Sequence, residues 1–242
     1  MRQMRLLPPG IKTLTQVLDL LFPSSCPVCR SRSDSLLTSP VCASCWEEIE
    51  KHPGTGCRTC GAITSYDPGD RCQECRNIKP VFDRVITFGL YDGPLKEIIH
   101  AMKFRQMKKL ALLLGRELAQ LDLPDADVLV PVPLGRKGLR DREFNQAALM
   151  AKKVSEKTGI PLVLNRLVKI RETVPQSTLP AQERKDNVKN AYALSGPMSC
   201  MRVMLVDDIV TTGATVNECA RVLRKAGAAS VSVLAAARAV NR

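Results

Sequence analysis

The order of apolar and polar positions divides the chain near residue 80. Before that point apolar residues are sparse and broken by turn formers. The exception is "IKTLTQVLDLLFP", where Ile11, Leu14, Val17, Leu18 and Leu21 recur at helical spacing up to Pro23. This predicts an amphipathic helix within residues 1–25, with its apolar face on a protein core in preference to a membrane. From Asp83 the pattern becomes regular. "DRVITFGLY" alternates and predicts a strand, while "GPLKEIIHAMKFR" and "MKKLALLLGRELAQL" carry helical periodicity. "DVLVPVP" is a short buried strand. "REFNQAALMAKKVSEKTG" predicts a helix ending at Gly159, with "IPLVLN" extended after it. "RVMLV" reads as a buried strand, "TVNECARVLRKAG" as a helix stopped by Gly227, and "SVSVLAAA" as a last strand. Strands separated by helices predict a mostly parallel sheet in an α/β domain over residues 83–242, entered through the linker "NIKPVFD".

The poorly patterned first third has its own logic. Eight of the ten cysteines form four C-x-x-C pairs, Cys26/Cys29, Cys42/Cys45, Cys57/Cys60 and Cys72/Cys75, separated by 12, 11 and 11 residues. A C-x-x-C turn lets two thiolates chelate one ion, and a second such turn completes a tetrahedron. Four turns predict two structural Zn²⁺ ions in a double zinc ribbon over residues 26–79. So small a segment buries little core, and bound metal supplies most of its folding free energy. A redox C-x-x-C normally stands alone, disulfides suit exported chains, and iron–sulfur runs are more compressed. Consecutive pairs sharing an ion is the favoured arrangement; the even gaps also allow a cross-braced one. Cys200 and Cys219 fall outside the pattern and are expected to be ordinary buried residues.

Totals change the picture in two ways. No apolar run approaches the ~20 residues of a membrane span, and the N-terminus lacks the pattern of an export signal, so a cytoplasmic location is expected. The formal charge is +12, unevenly spread. Residues 1–80 hold ten Lys/Arg against eight Asp/Glu, and residues 81–242 hold 26 against 16. The basic excess of the larger part favours polyanionic partners: nucleic acid, phosphorylated metabolites or an anionic membrane face. In the cysteine segment Arg30, Arg32, Arg58, Arg71 and Arg76 are nearly balanced by acids, and Trp46 and Tyr66 are its only Trp and Tyr, so nothing there demands nucleic acid.

The chemistry concentrates in "VMLVDDIVTTGAT". In an open α/β sheet, ligands sit beyond the carboxyl ends of the strands. Asp207 and Asp208 stand there, before a turn that opens a helix. Backbone N–H groups of the turn, the helix dipole, and the hydroxyls of Thr211, Thr212 and Thr215 suit an anion; Gly213 permits close approach or positive φ. Carboxylates on one side and a phosphate cradle on the other fit a sugar bearing free hydroxyls and a terminal phosphate. A Walker B strand also ends in acids, but the chain has no G-x-x-x-x-G-K-[ST]. Too few residues follow Asp208 for a response-regulator receiver.

This stretch resembles the 5-phosphoribosyl-1-pyrophosphate (PRPP) motif of type I phosphoribosyltransferases. The resemblance implies that Asp207 and Asp208 contact the ribose 2- and 3-hydroxyls with Mg²⁺ nearby. It also implies that Thr211, Thr212, Gly213, Ala214 and Thr215 hold the 5-phosphate. "VPVPLGRKGLRDREFNQ" is similar to the family's pyrophosphate loop, with Pro133, Leu134, Gly135, Arg136 and Lys137 at the strand end and Arg140 and Arg142 beyond. "RETVPQSTLPAQERKDNV" is similar to its flexible catalytic loop, with Arg184, Lys185 and Asn187 as candidates.

Together with "GLYDGPLKEIIHAMKF" and "REFNQA", these blocks and the cysteine module resemble the ComF family of competence proteins, including GntX-like members. The resemblance implies a phosphoribosyltransferase fold and a place in natural transformation, at the handling of incoming single-stranded DNA. It implies PRPP or a nucleotide as ligand, and single-stranded DNA and other competence proteins as partners. Two activities stay open: transfer of a phosphoribosyl group to a nitrogen acceptor, or binding of PRPP, nucleotide and single-stranded nucleic acid without catalysis. The chain's two histidines, His52 in the cysteine segment and His100 on an expected helix, offer no evident base.

Overall fold

A computed structural model describes residues 25–63, 71–174 and 183–239. The helix expected before residue 25, Tyr66, and the middle of the polar loop "RETVPQSTLPAQERKDNV" lie outside these. The described residues fall into two compact units, one ending at Glu48 and one beginning at Ile49.

In the first unit, Cys26 and Cys29 sit on a tight turn in which the Cys26 amide donates to the Ser31 carbonyl (2.8 Å) and the Arg30 amide to the Cys26 carbonyl (2.9 Å). Cys42 caps and Cys45 lies within helix α1 (Ala43–Glu47). The second unit repeats the device. Cys57 and Cys60 sit on a turn closed by the Gly61 amide on the Cys57 carbonyl (2.9 Å), and Cys72 caps helix α2 (Gln73–Ile78), which contains Cys75.

The second unit continues into a four-stranded parallel sheet in the order β1-β6-β5-β2. Its strands are β1 (Arg84–Leu90), β2 (Val128–Pro131), β5 (Arg202–Val210) and β6 (Ser230–Arg238). The central pair, β5 and β6, is covered on both faces, which is why "VMLV" and "VLAAA" are unbroken apolar runs. Both sheet edges are guarded. The chain leading to the second ribbon lies along β1: the His52 amide donates to the Phe88 carbonyl (3.0 Å), and the Leu90 amide to the Glu50 carbonyl (2.9 Å). At the other edge, the expected strand "IPLVLN" contributes a single parallel bridge, Leu162 to Leu129.

Helices α3 (Gly93–Phe104) and α4 (Lys108–Leu118) connect β1 to β2. Asp92 starts α3 by accepting from the Gly93 amide at 2.9 Å. The expected helix over "REFNQAALMAKKVSEKTG" begins only at Gln146, as α6 (Gln146–Thr158), and residues 143–145 break it from a separate short helix before it, α5 (Arg136–Arg142). The break has a cause. Asn145 accepts from the Ala148 amide (3.2 Å), capping α6, and donates to the Val132 carbonyl (3.0 Å), which ties that cap to the end of β2. Helix α6 ends at Gly159 as expected, with φ 77°. Gly115 on α4 packs so tightly on α6 that a Cβ there would stand 2.8 Å from the Met150 carbonyl oxygen.

A small antiparallel pair, β3 (Leu167–Lys169) with β4 (Tyr192–Leu194), stands apart from the main sheet. Between its strands the polar loop ends in helix α7 (Glu183–Val188). Helix α8 (Ala214–Lys225) links β5 to β6. Cys219 on α8 is buried as expected; Cys200 is exposed, because it lies in a surface turn at φ 59° whose amide bonds the Gly227 carbonyl (3.0 Å). No described helix is long and apolar enough to cross a membrane.

Candidate functional site

Strand β5 does not stop before the acids; it runs through them to Val210, with Asp207 and Ile209 still in register with β6. Asp208 is buried and Asp207 keeps a partial opening to solvent. The Asp208 amide donates to Asp207 Oδ1 at 2.8 Å. Lys103, from α3, pairs with Asp208 at 2.8 Å, and both side chains are largely enclosed (17% and 13% exposed). The doublet is therefore split in role. One acid is neutralised internally, and the other keeps a partial opening and forms no ion pair among the described residues.

The environment of Asp207 pushes its carboxyl up to about 7, first through loss of surrounding water and then through the neighbouring Asp208 charge; Lys103 and Arg142 pull the other way. In an unfolded chain the same group ionises near 3.8. Between these values the folded chain holds the extra proton. The contribution of Asp207 to stability therefore declines as pH rises from about 4 to 7 and is flat above.

After β5, Gly213 adopts φ 77° as the residue that opens α8, and Ala214 follows in the first turn. A side chain is strained in that conformation. Thr211, Thr212 and Thr215 are partly exposed, and the Thr212 hydroxyl accepts from the Ala214 amide at 3.4 Å. The Thr215 hydroxyl meets Tyr192 of β4, whose phenol is held protonated by burial and by the nearby Cys219 and Asp207. Lys169 of β3 lies 5.9 Å over the Tyr192 ring. Its ammonium is lowered by burial and repelled by Arg171 and Arg142. The small hairpin thus brings a cation and a phenol toward the acids, a pairing with no periodic signal in three-residue strands.

The loop after β2 arrives beside them because β2 and β5 are neighbours. Pro131 is in register with Val206, and the Val132 amide donates to the Val206 carbonyl at 2.9 Å. Pro133, Leu134 and Gly135 continue to α5, which begins with Arg136 and Lys137. This loop already holds a carboxylate: Glu172 Oε1 accepts from the Lys137 amide (3.1 Å), and a Cβ on Gly135 would strike that side chain at 2.4 Å. Arg142 is close enough to act on Asp207 electrostatically; Lys137 and Arg140 are exposed.

A cavity of about 870 Å³ is lined by this loop together with Lys169 and Asn145. Another, of about 200 Å³, is lined by Thr212, Gly213 and Ala214 together with Cys60 and Cys75 of the second cysteine group. Arg184 and Lys185 fall on α7. Asn187 clasps the two ends of its loop, accepting from the Val174 amide (3.1 Å) and donating to the Val174 carbonyl (2.8 Å). Lys103 is the residue that sequence reading missed; the helical "HAMKF" announces no partner for it.

The cysteines settle into two groups, Cys26, Cys29, Cys42 and Cys45, and Cys57, Cys60, Cys72 and Cys75, with the four sulfurs of each within 4.8 Å of one another. Consecutive pairs therefore meet, not alternate ones. Sulfur separations of 3.6 Å (Cys29–Cys42) and 3.7 Å (Cys60–Cys72) match the edge of a zinc tetrathiolate, roughly 3.8 Å for Zn–S bonds of about 2.3 Å. Both groups fit structural zinc.

Fold and site together define an α/β domain of the phosphoribosyltransferase type, carrying two four-cysteine ribbons. The chain matches the double zinc ribbon domain over residues 17–76 and the phosphoribosyl transferase domain over residues 145–240. It is 34% identical over 212 residues to competence protein F of Haemophilus influenzae, covering 82% of this chain and 90% of that one. It is 32% identical over 222 residues to the DNA utilization protein YhgH of Salmonella typhi (88% and 96%), and 30% identical over 204 residues to competence protein ComFC of Bacillus subtilis (79% and 81%). The chain belongs to the ComF family of competence proteins.

Proposed function

We propose that this protein binds PRPP with Mg²⁺ at the carboxyl end of β5 and acts, as its relatives' names indicate, in the use of incoming DNA. The observation that carries the reading is the adjacency of three features: a partly open carboxylate at Asp207, an amide- and hydroxyl-rich turn at Thr211–Thr215, and an anion-holding loop after β2. On this reading Asp207 and Asp208 hold the ribose hydroxyls and the turn holds the 5-phosphate. Pro133–Lys137 takes the diphosphate in place of the Glu172 carboxylate. Hard carboxylate oxygens suit Mg²⁺, which is commonly held by one or two carboxylates plus substrate phosphates. When bound, it neutralises charge building on the departing diphosphate. Arg142 and Lys169 add fixed positive charge on that side. In transfer, the ribose C1–O bond to pyrophosphate breaks, a C1–N bond to the acceptor forms, and the acceptor nitrogen gives up a proton. Arg184 and Lys185 are the candidates for closing over this step.

A second reading, ligand binding without transfer, draws on the 26 basic against 16 acidic residues beyond residue 80, which suit single-stranded nucleic acid. Calorimetry with PRPP and Mg²⁺, alongside pyrophosphate release over a panel of nucleobases, tests both. Binding with release is expected for the transferase; binding without release selects the second reading; no PRPP binding removes the first proposal. For the second reading, single-strand affinity should fall steeply with salt.

The state of Asp207 supplies a further expected result. PRPP affinity should rise between pH 6 and 8 as the carboxyl loses its proton near 7, and this rise should vanish in Asp207→Asn. Calorimetry across that range checks it; a flat profile in the parent protein would contradict the role given to Asp207.

A further inference from the structure

Arg238, the last residue of β6, is 2% exposed, and a buried guanidinium must find both acceptors and countercharge. Its acceptors come from two places. Nε donates to the Cys60 carbonyl at 2.8 Å, and a second nitrogen lies 3.7 Å from Cys60 Sγ. The remaining nitrogen donates to the carbonyls of Val210 (3.0 Å), Ala239 (3.2 Å) and Thr211. Val210 and Thr211 are the residues that deliver the chain into the Thr212–Gly213 turn. One side chain thus spans from a cysteine of the second ribbon to the entrance of the phosphate turn. The cavity of about 200 Å³ at this junction is lined by Cys60, Cys75, Thr212, Gly213 and Arg238.

Arg238 forms no salt bridge with a carboxylate among the described residues. A tetrathiolate zinc centre carries net negative charge and would supply the missing countercharge. Without the ion, that countercharge is gone and Cys60 is no longer held in a tetrahedral cluster beside the guanidinium. The guanidinium then has reason to leave its place, and the Val210 and Thr211 carbonyls lose their donor.

We propose that Arg238 is a positioning residue through which zinc at Cys57, Cys60, Cys72 and Cys75 sets the affinity of the Thr211–Thr215 turn for a ribose phosphate. The inference rests on the PRPP reading of that turn. Reciprocity follows from linkage: if zinc tightens PRPP binding by some factor, PRPP tightens zinc binding at this site by the same factor.

The test uses the full zinc-loaded chain, PRPP with excess Mg²⁺, and a competing zinc chelator at equilibrium. PRPP should strengthen retention of one of the two zinc equivalents by about tenfold, within the usual range of coupling between sites. Arg238→Met should keep both zinc ions and the far-UV spectrum, bind PRPP more weakly by a similar factor, and lose the effect of PRPP on zinc. A merely structural arginine would not be expected to abolish that mutual dependence. Should Arg238→Met fail to fold, Arg238→Lys keeps the charge but cannot span both groups, and should lose most of the effect. A parent protein that binds PRPP yet retains zinc equally with and without it overturns the inference alone. So does a folded variant whose zinc retention still responds to PRPP. Absence of PRPP binding in the parent protein overturns the reading of the turn and this inference with it.

Discussion

Replacing Asp207 by Asn should weaken PRPP binding in the presence of Mg²⁺ by about 100-fold, the loss of two charge-assisted hydrogen bonds at roughly 1.5 kcal/mol each. The fold should survive. Asn keeps an oxygen to accept the Asp208 amide, and it relieves a carboxyl whose surroundings resist ionisation. At pH 8 the variant should therefore melt no lower than the parent, and calorimetry beside thermal denaturation separates the two effects. Asp208→Asn is a different experiment, because it strands Lys103 in a largely enclosed position. Breaking such a pair by removing one partner costs about 3 kcal/mol. Lys103→Met combined with Asp208→Asn should recover much of that stability without recovering ligand. Undiminished PRPP affinity in Asp207→Asn would end the assignment.

The second large effect concerns metal. The protein should carry two zinc ions per chain, one for each four-cysteine group. Their loss should have unequal consequences. Cys57, Cys60, Cys72 and Cys75 belong to the same buried cluster as Val85, Val231, Val233 and Ala235 of the parallel sheet. The first group belongs to the unit that ends at Glu48. Structural zinc contributes about 10–16 kcal/mol in small zinc domains, comparable to the whole stability of many domains. Cys75→Ser should therefore abolish the cooperative melting of the sheet-bearing unit. Cys29→Ser should leave that melting transition and PRPP binding intact while halving the zinc content. Elemental analysis, circular dichroism and calorimetry on the two variants check this. A Cys75→Ser protein that melts like the parent would show that zinc does not hold the sheet-bearing unit together.

Much of this was legible in residue order. Four evenly spaced C-x-x-C pairs announce two ions because chelation is local. Helices α3, α4, α6 and α8 are legible because their apolar stripes have a period and their ends have caps such as Asp92 and Gly159. The turn after β5 is legible because Gly213 must take positive φ there. What was hidden is short or long-range. Helices α5 and α7 and the pair β3–β4 have too few residues for a period to show. The break at Asn145 depends on the Val132 carbonyl, which belongs to another element.

By itself the sequence determined the chemistry available: thiolates in chelating turns, a carboxylate doublet, and a hydroxyl-rich turn before a helix. Each is a property of neighbours along the chain, set by bond lengths and backbone preference. The tertiary structure decided which of these meet. Parallel pairing of β2 with β5 carries an anion-holding loop to the acids, and α3 delivers Lys103 into an ion pair with Asp208, leaving Asp207 with a partial opening. Burial of Arg238 joins a zinc ligand to the phosphate turn. Such meetings follow from strand order and from the need of buried charge for a partner, and no stretch of residues read along the line contains them.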